Sequence, residues 1–155
     1  MKLKDMTAMF AFVLVACFAA SAPASFAQNR DLHGSGDLHV TKECTEYTGL
    51  AGGFCTITSS NLDAIKVGSK VYYDQAMGTP PGLLDSNIIL DAGNGDRAVG
   101  RCTVELPAFV GLCTFSDGTG QFTGFHARID VSDATDGVNY HWDGKYIFSP
   151  ESRIQ

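Results

Sequence analysis

Four cysteines stand at two equal intervals, Cys44 with Cys55 and Cys102 with Cys113, each pair eleven residues apart. Thiols can be cross-linked or hold a metal, and spacing separates the two chemistries. Structural zinc sites pair ligands about two to four residues apart, so these intervals point away from zinc. Each interval has a turn-like middle, Thr48 to Gly53 in the first and Leu106 to Gly111 in the second. If each folds as a β-hairpin, Cys44 lies opposite Cys55 and Cys102 opposite Cys113. Two hairpin disulfides are therefore the expectation, with the other pairings of the four left open.

The remaining chemistry-bearing residues form no recognisable catalytic constellation. There is no Gly-x-Ser-x-Gly elbow, no His-Glu-x-x-His pair and no phosphate-binding loop. His33, His39, His126 and His141 are scattered along the chain. The run Asp91 to Asp96 has the look of a calcium loop, but Gly93 and Gly95 stand where the third and fifth positions need oxygen ligands, so it reads as a turn. Asp85 and Glu105 fall on outer faces by alternation, and nothing in the sequence pairs Glu43. No catalytic residue is assigned, no metal site is drawn, and no cofactor is called for. What stands out is an aromatic set, Tyr73, Phe115, Phe125, Tyr140, Trp142 and Tyr146. These residues share inward faces and would either line a lumen for an apolar ligand or fill a core.

The elements that must carry this set are strands. Stretches rich in β-branched and aromatic residues, punctuated by Gly, Asn, Asp and Pro, predict strands over 37–46, 53–61, 67–75, 84–91, 97–106, 109–116, 121–132 and 139–148. No convincing amphipathic helix interrupts them. Closely spaced strands without helices imply a sandwich or a barrel. Alternation assigns the faces: Phe125, Ala127, Ile129 and Val131 share one side, with His126, Arg128 and Asp130 opposite. Tyr140, Trp142, Gly144, Tyr146 and Phe148 likewise share a side, with His141, Asp143 and Lys145 on the other. Val67, Ser69, Val71, Tyr73 and Gln75 are expected to face inward, as are Leu84, Ser86, Ile88 and Leu90. For the last hairpin, a turn around Ala134 to Gly137 pairs Ile129 with Trp142, Val131 with Tyr140 and Phe125 with Tyr146. That register sets Arg128 against Asp143 and Asp130 against His141 on the wet face.

The first residues read as an export signal. Lys2 and Lys4 precede an apolar run over 9–20, and Ser25-Phe26-Ala27 offers small residues where signal peptidase cuts. The run is short beside the roughly 20 apolar residues of a membrane-spanning helix. Leu14-Val15-Ala16-Cys17 is a competing lipoprotein-type site, which would anchor the chain to a membrane through Cys17. The expected layout is a signal peptide over 1–27, a loose arm over 28–36, one β-domain over 37–149 and a tail over 150–155. The formal charge of −6 becomes one unit more negative once Lys2, Lys4 and Asp5 leave with the signal. With no basic run, nucleic acid and anionic membrane surfaces are not expected partners. The expected location is secreted or periplasmic.

The segment Gly118-Thr-Gly-Gln-Phe-Thr-Gly-Phe-His-Ala-Arg-Ile-Asp-Val, followed by the aromatic-rich strand Trp142 to Phe148, resembles the late hairpin of allene oxide cyclase and dirigent-like barrels. The resemblance extends over about residues 37–148. It implies a single antiparallel eight-stranded barrel, often homo-oligomeric, with an apolar cavity that binds a small reactive molecule and steers its cyclisation or coupling. The four-cysteine pattern is not that of the plant enzymes. Their polar catalytic residues find no position-by-position match here, so none is carried across. The other expectation, from a different class, is an extracellular or envelope interaction protein with a filled core and no enzymatic activity.

Overall fold

The computed structural model describes residues 34–149. The expected signal peptide, Cys17, arm residues 28–33 and the tail lie outside the described residues. Eight strands follow one another: β1 (Ser35–Glu43), β2 (Phe54–Ser60), β3 (Lys70–Tyr73), β4 (Leu83–Asp91), β5 (Arg97–Glu105), β6 (Val110–Thr119), β7 (Phe125–Asp133) and β8 (Asn139–Phe148). Each pairs antiparallel with its sequence neighbours, and β1 pairs with β8 to close the barrel. Closure gives each of the eight strands a partner on both sides, which limits edge-to-edge aggregation.

Alternation drives the core. Leu38 and Val40 on β1, Cys55 and Ile57 on β2, Ile88 and Leu90 on β4, and Phe125 and Ile129 on β7 are all buried, while their strand neighbours face outward. Both disulfides are present, Cys44–Cys55 and Cys102–Cys113. Cys102 and Cys113 are direct partners across β5 and β6, so that bridge lies on the core side of one hairpin.

Several boundaries move. The arm expected to end at residue 36 already contributes Ser35 and Gly36 to β1, opposite Ile147 and Tyr146 of β8. The third strand contracts to Lys70–Tyr73, and Val67, expected inside, is 70 % exposed. The reason lies just upstream. Leu62, Ala64 and Ile65 turn inward and are buried, so the chain spends residues 61–69 on a plug and not on strand. Gln75 is likewise exposed. A 3-10 turn, Gly120–Phe122, replaces the start of the seventh strand and buries Phe122.

The β7–β8 register differs from the expected one by two residues. Val131 lies opposite Trp142, Ile129 opposite Gly144 and Phe125 opposite Phe148. A shift of two preserves both faces, as a period of two requires, but it changes every partner. Arg128 now faces Lys145, and Asp130 faces Asp143. The relief comes from the other side of β8: His39 Nδ1 is 2.7 Å from Asp143 Oδ1, and Lys145 pairs with Asp37, both from β1. The turn fixes the register. Asp133 accepts from the Thr135 and Gly137 amides, and Asp136 accepts from the Val138 and Asn139 amides. These aspartate-capped bends move the turn one residue along the chain, from 134–137 to 135–138, and the Ala134 amide closes it on the Asn139 carbonyl at 2.9 Å.

Candidate functional site

In an up-and-down barrel, successive connections alternate between the two ends. Those after β2, β4 and β6 close one end. Lys66 Nζ is 3.6 Å from Asp96 Oδ2, and Gln121 binds both Asp96 oxygens, from its amide at 3.1 Å and its side chain at 2.7 Å. The Leu62 to Ile65 plug and Phe122 lie beneath this network. The connections after β1, β3, β5 and β7 surround a cavity of about 230 Å³ at the opposite end. Its walls include Tyr47 from the first, Met77 from the second, Leu106 and Phe109 from the third, and Gly137 from the fourth. Tyr73, Leu84, Val104, Val131 and Tyr140 line it from the strands, and both cysteines of the Cys44–Cys55 bridge lie in its wall.

One cation lines this cavity. Lys42 follows Leu38 and Val40 on the inward face of β1 and is only 4 % exposed. Its Nζ donates to Tyr73 Oη at 2.5 Å and sits 4.4 Å from the centre of the Trp142 ring, within cation–π range. The Tyr73 and Tyr140 rings lie 5.2 and 6.0 Å away. No ion pair among the described residues includes Lys42. Burial without a compensating carboxylate favours the neutral amine and lowers its pKa to about 7. Burial pushes the Tyr73 hydroxyl the other way, well above the ordinary phenol value, reinforced by neighbouring Tyr47 and Tyr140. Burial also raises Tyr47, whose ring stacks 5.0 Å from that of Tyr73 and whose hydroxyl is buried without a partner among the described residues. Tyr140 is raised too, by burial first and then by Asp133 and Asp136; its hydroxyl donates to the Gly137 carbonyl at 3.2 Å.

The six aromatic residues expected to act together are divided by the structure. Tyr73 and Tyr140 line the cavity. Phe115, Phe125, Trp142 and Tyr146 do not. They pack with Phe122 and Phe148 into an aromatic column that fills the closed half of the barrel, with ring centres 5.1 to 6.4 Å apart. Trp142 links the two halves, since its ring touches Phe115 on one side and Lys42 on the other. Lys42 and Tyr47 are the functional candidates that sequence reasoning missed. Lys42 has a signal: Leu38, Val40, Lys42 and Cys44 recur every second residue, which puts a lysine on the same face as two core aliphatics. Tyr47 sits in an irregular loop and has no such signal. On the outer face, His126 and Glu105 are exposed and Asp85 bonds Arg101 at 2.7 Å, where alternation expects them.

The fold and site together define a closed antiparallel barrel, packed at one end and hollow at the other, with a buried amine at the floor of the hollow. No protein-family model, no curated protein and no solved structure matches this chain.

Proposed function

We propose that this protein is an exported barrel that binds a small, mostly apolar organic molecule in the cavity at the end bearing Tyr47, Phe109 and Gly137. The observation that carries this reading is a cavity in which one amine and three tyrosines stand among apolar walls, the usual make-up of a small-molecule site. Its volume of about 230 Å³ lies below the roughly 300–1,000 Å³ of drug-sized pockets. The ligand is therefore small, of the size of a bicyclic aromatic or a short aliphatic chain. Export is supported by the leader-like start of the sequence and by two disulfides, which persist in oxidising compartments. Among the described residues no helix is long and apolar enough to cross a membrane. In its enzymatic form this reading is a cofactor-free isomerase of the allene oxide cyclase kind, in which shape and water exclusion select one conformer of a reactive ligand.

The aromatic column favours a second reading, a non-enzymatic extracellular or envelope interaction protein whose barrel is essentially filled. Titration with 1-naphthol, followed by the emission of Trp142, the chain's single tryptophan, separates the two. A saturable change that is weakened by Phe109→Ala supports the ligand site. A linear response without saturation overturns it and leaves the interaction protein.

A further inference from the structure

We propose that Lys42 is a nucleophilic amine that captures an aldehyde or ketone, as a Schiff base, at the floor of the open cavity. This rests on the cavity being a small-molecule site and names the class of molecule it takes. A nucleophilic lysine needs three things: a neutral nitrogen, access to the ligand, and a proton relay within reach.

Access is given by geometry. Lys42 is almost wholly shielded from bulk water, yet it is a wall of the cavity. The relay is Tyr73, whose hydroxyl lies at hydrogen-bond distance from Nζ. Neutrality follows from the surroundings. The groups facing Lys42 are Tyr73 from β3 and Tyr140 and Trp142 from β8, Tyr47 of the β1–β2 loop shares the cavity wall, and no carboxylate among the described residues lines the cavity. With a pKa of about 7, a large share of the amine is unprotonated at neutral pH. For a surface lysine near 10.4 that share is about one in 2,500. The three tyrosines stay protonated over this range, because burial raises each of them.

The lining also argues for a carbonyl over a carboxylate ligand. A carboxylate would bring two charged oxygens out of water to meet one cation among apolar walls, a costly transfer. A carbonyl is neutral on entry. The Nζ lone pair adds to the carbonyl carbon, and the carbonyl π pair moves to oxygen, which takes the Tyr73 hydroxyl proton. The nitrogen, now cationic, returns a proton to the Tyr73 oxygen and leaves a neutral carbinolamine. The Tyr73 hydroxyl then protonates the carbinolamine oxygen, water leaves as the nitrogen lone pair forms the C=N bond, and the protonated imine returns its proton to the Tyr73 oxygen. The sum is one amine and one carbonyl giving one imine and one water, with no redox change. While still protonated, the imine nitrogen is a cation facing the Trp142 ring, which favours it.

Hexanal with sodium cyanoborohydride tests this on the intact, disulfide-bonded protein, with peptide mass mapping to place the hexyl groups. The expected result is saturable modification of Lys42 at pH 7 at least about tenfold faster than of Lys66 and Lys145, exposed lysines of the same molecule serving as internal controls. Its rate should rise with pH around 7, and Tyr73→Phe should slow it. Lys42→Arg should lose the fast phase, with Lys42→Met as the second variant should arginine not fold. Modification of Lys42 at or below the rate of the exposed lysines, or without saturation in hexanal, overturns the proposal. If 1-naphthol binds saturably while Lys42 is not trapped, the amine chemistry falls and the ligand cavity stands. If neither is seen, both fall.

Discussion

Trp142 is the largest fully buried side chain among the described residues, and it stands between the aromatic column and the cavity's amine. One face of the indole meets Phe115 edge-on at 5.7 Å, and Lys42 Nζ lies over the ring. Its Nε1–H is buried without a partner among the described residues, so the ring is held by packing and not by its polar handle. Truncation to alanine would open a cavity that the surrounding strands cannot fill. Urea unfolding of Trp142→Ala should show a loss of about 3–5 kcal/mol. Trp142→Phe retains most of the apolar volume and removes the unpaired donor, so it should cost well under half as much. An alanine variant as stable as the parent would mean the ring is not part of the core. The inward face of Trp142 is legible in the sequence because its strand alternates cleanly from Tyr140 to Phe148. Lys42 was legible by the same rule, but lysine is rarely buried unless paired, and composition steers attention away from it.

At the scale of strands, glycine at inward positions decides how closely neighbours approach. Gly100, Gly111 and Gly144 all occupy inward positions by alternation on β5, β6 and β8. A Cβ on Gly144 would run into the Arg128 carbonyl oxygen and come within 2.8 Å of Ile129 Cα; one on Gly111 would meet the Thr103 carbonyl oxygen and stand 2.6 Å from Val104 Cα. These obstacles are backbone and cannot swing aside, so the glycines mark where a small barrel bends its strands most tightly. Gly144→Ala should destabilise by about 1–3 kcal/mol, the usual cost of overpacking. Faster amide hydrogen exchange should appear along the β7–β8 pair in particular, and unchanged exchange there would remove the steric reading. The sequence showed that β7 and β8 pair and which face of each is wet. It could not set their register, because two registers that differ by two residues bury the same side chains. The choice between them lay in the Asp133 and Asp136 hydrogen bonds of the turn and in β1, whose Asp37 and His39 satisfy the charges that β7 leaves unmatched. A two-strand comparison contains neither.

Across the whole molecule, one end of the barrel is spent on stability and the other gives some of it up. The plug, Phe122 and the Asp96 network complete a core around the closed end, while the open end places an amine with no ion pair among the described residues where a core side chain would otherwise stand. The energetic signature is a dependence on pH. The folded-state pKa of Lys42, about 7, lies below the roughly 10.4 of an unfolded lysine. Below pH 7 both states hold the proton, and the penalty for a buried ammonium is present in full. Between pH 7 and about 10 the unfolded chain still binds the proton and the folded one does not, so the free energy of unfolding rises with pH, by at most about 1.4 kcal/mol per unit. Above about pH 10 the trend reverses, because Tyr47, Tyr73 and Tyr140 keep protons in the fold that the unfolded chain releases. Both cysteine pairs are oxidised, so no thiol among the described residues titrates in this window. Lys42→Met replaces the amine by an apolar chain of similar length, and apolar replacement of a buried charge is commonly neutral or stabilising. Urea unfolding at half-unit steps from pH 6 to 9.5, without reductant, should show the parent gaining stability across the range. Lys42→Met should be more stable than the parent at pH 6 and flatter throughout, the two curves converging toward pH 9.5. Parallel curves would place Lys42 in water with an ordinary affinity for its proton, and the open end of the barrel would then hold no buried charge.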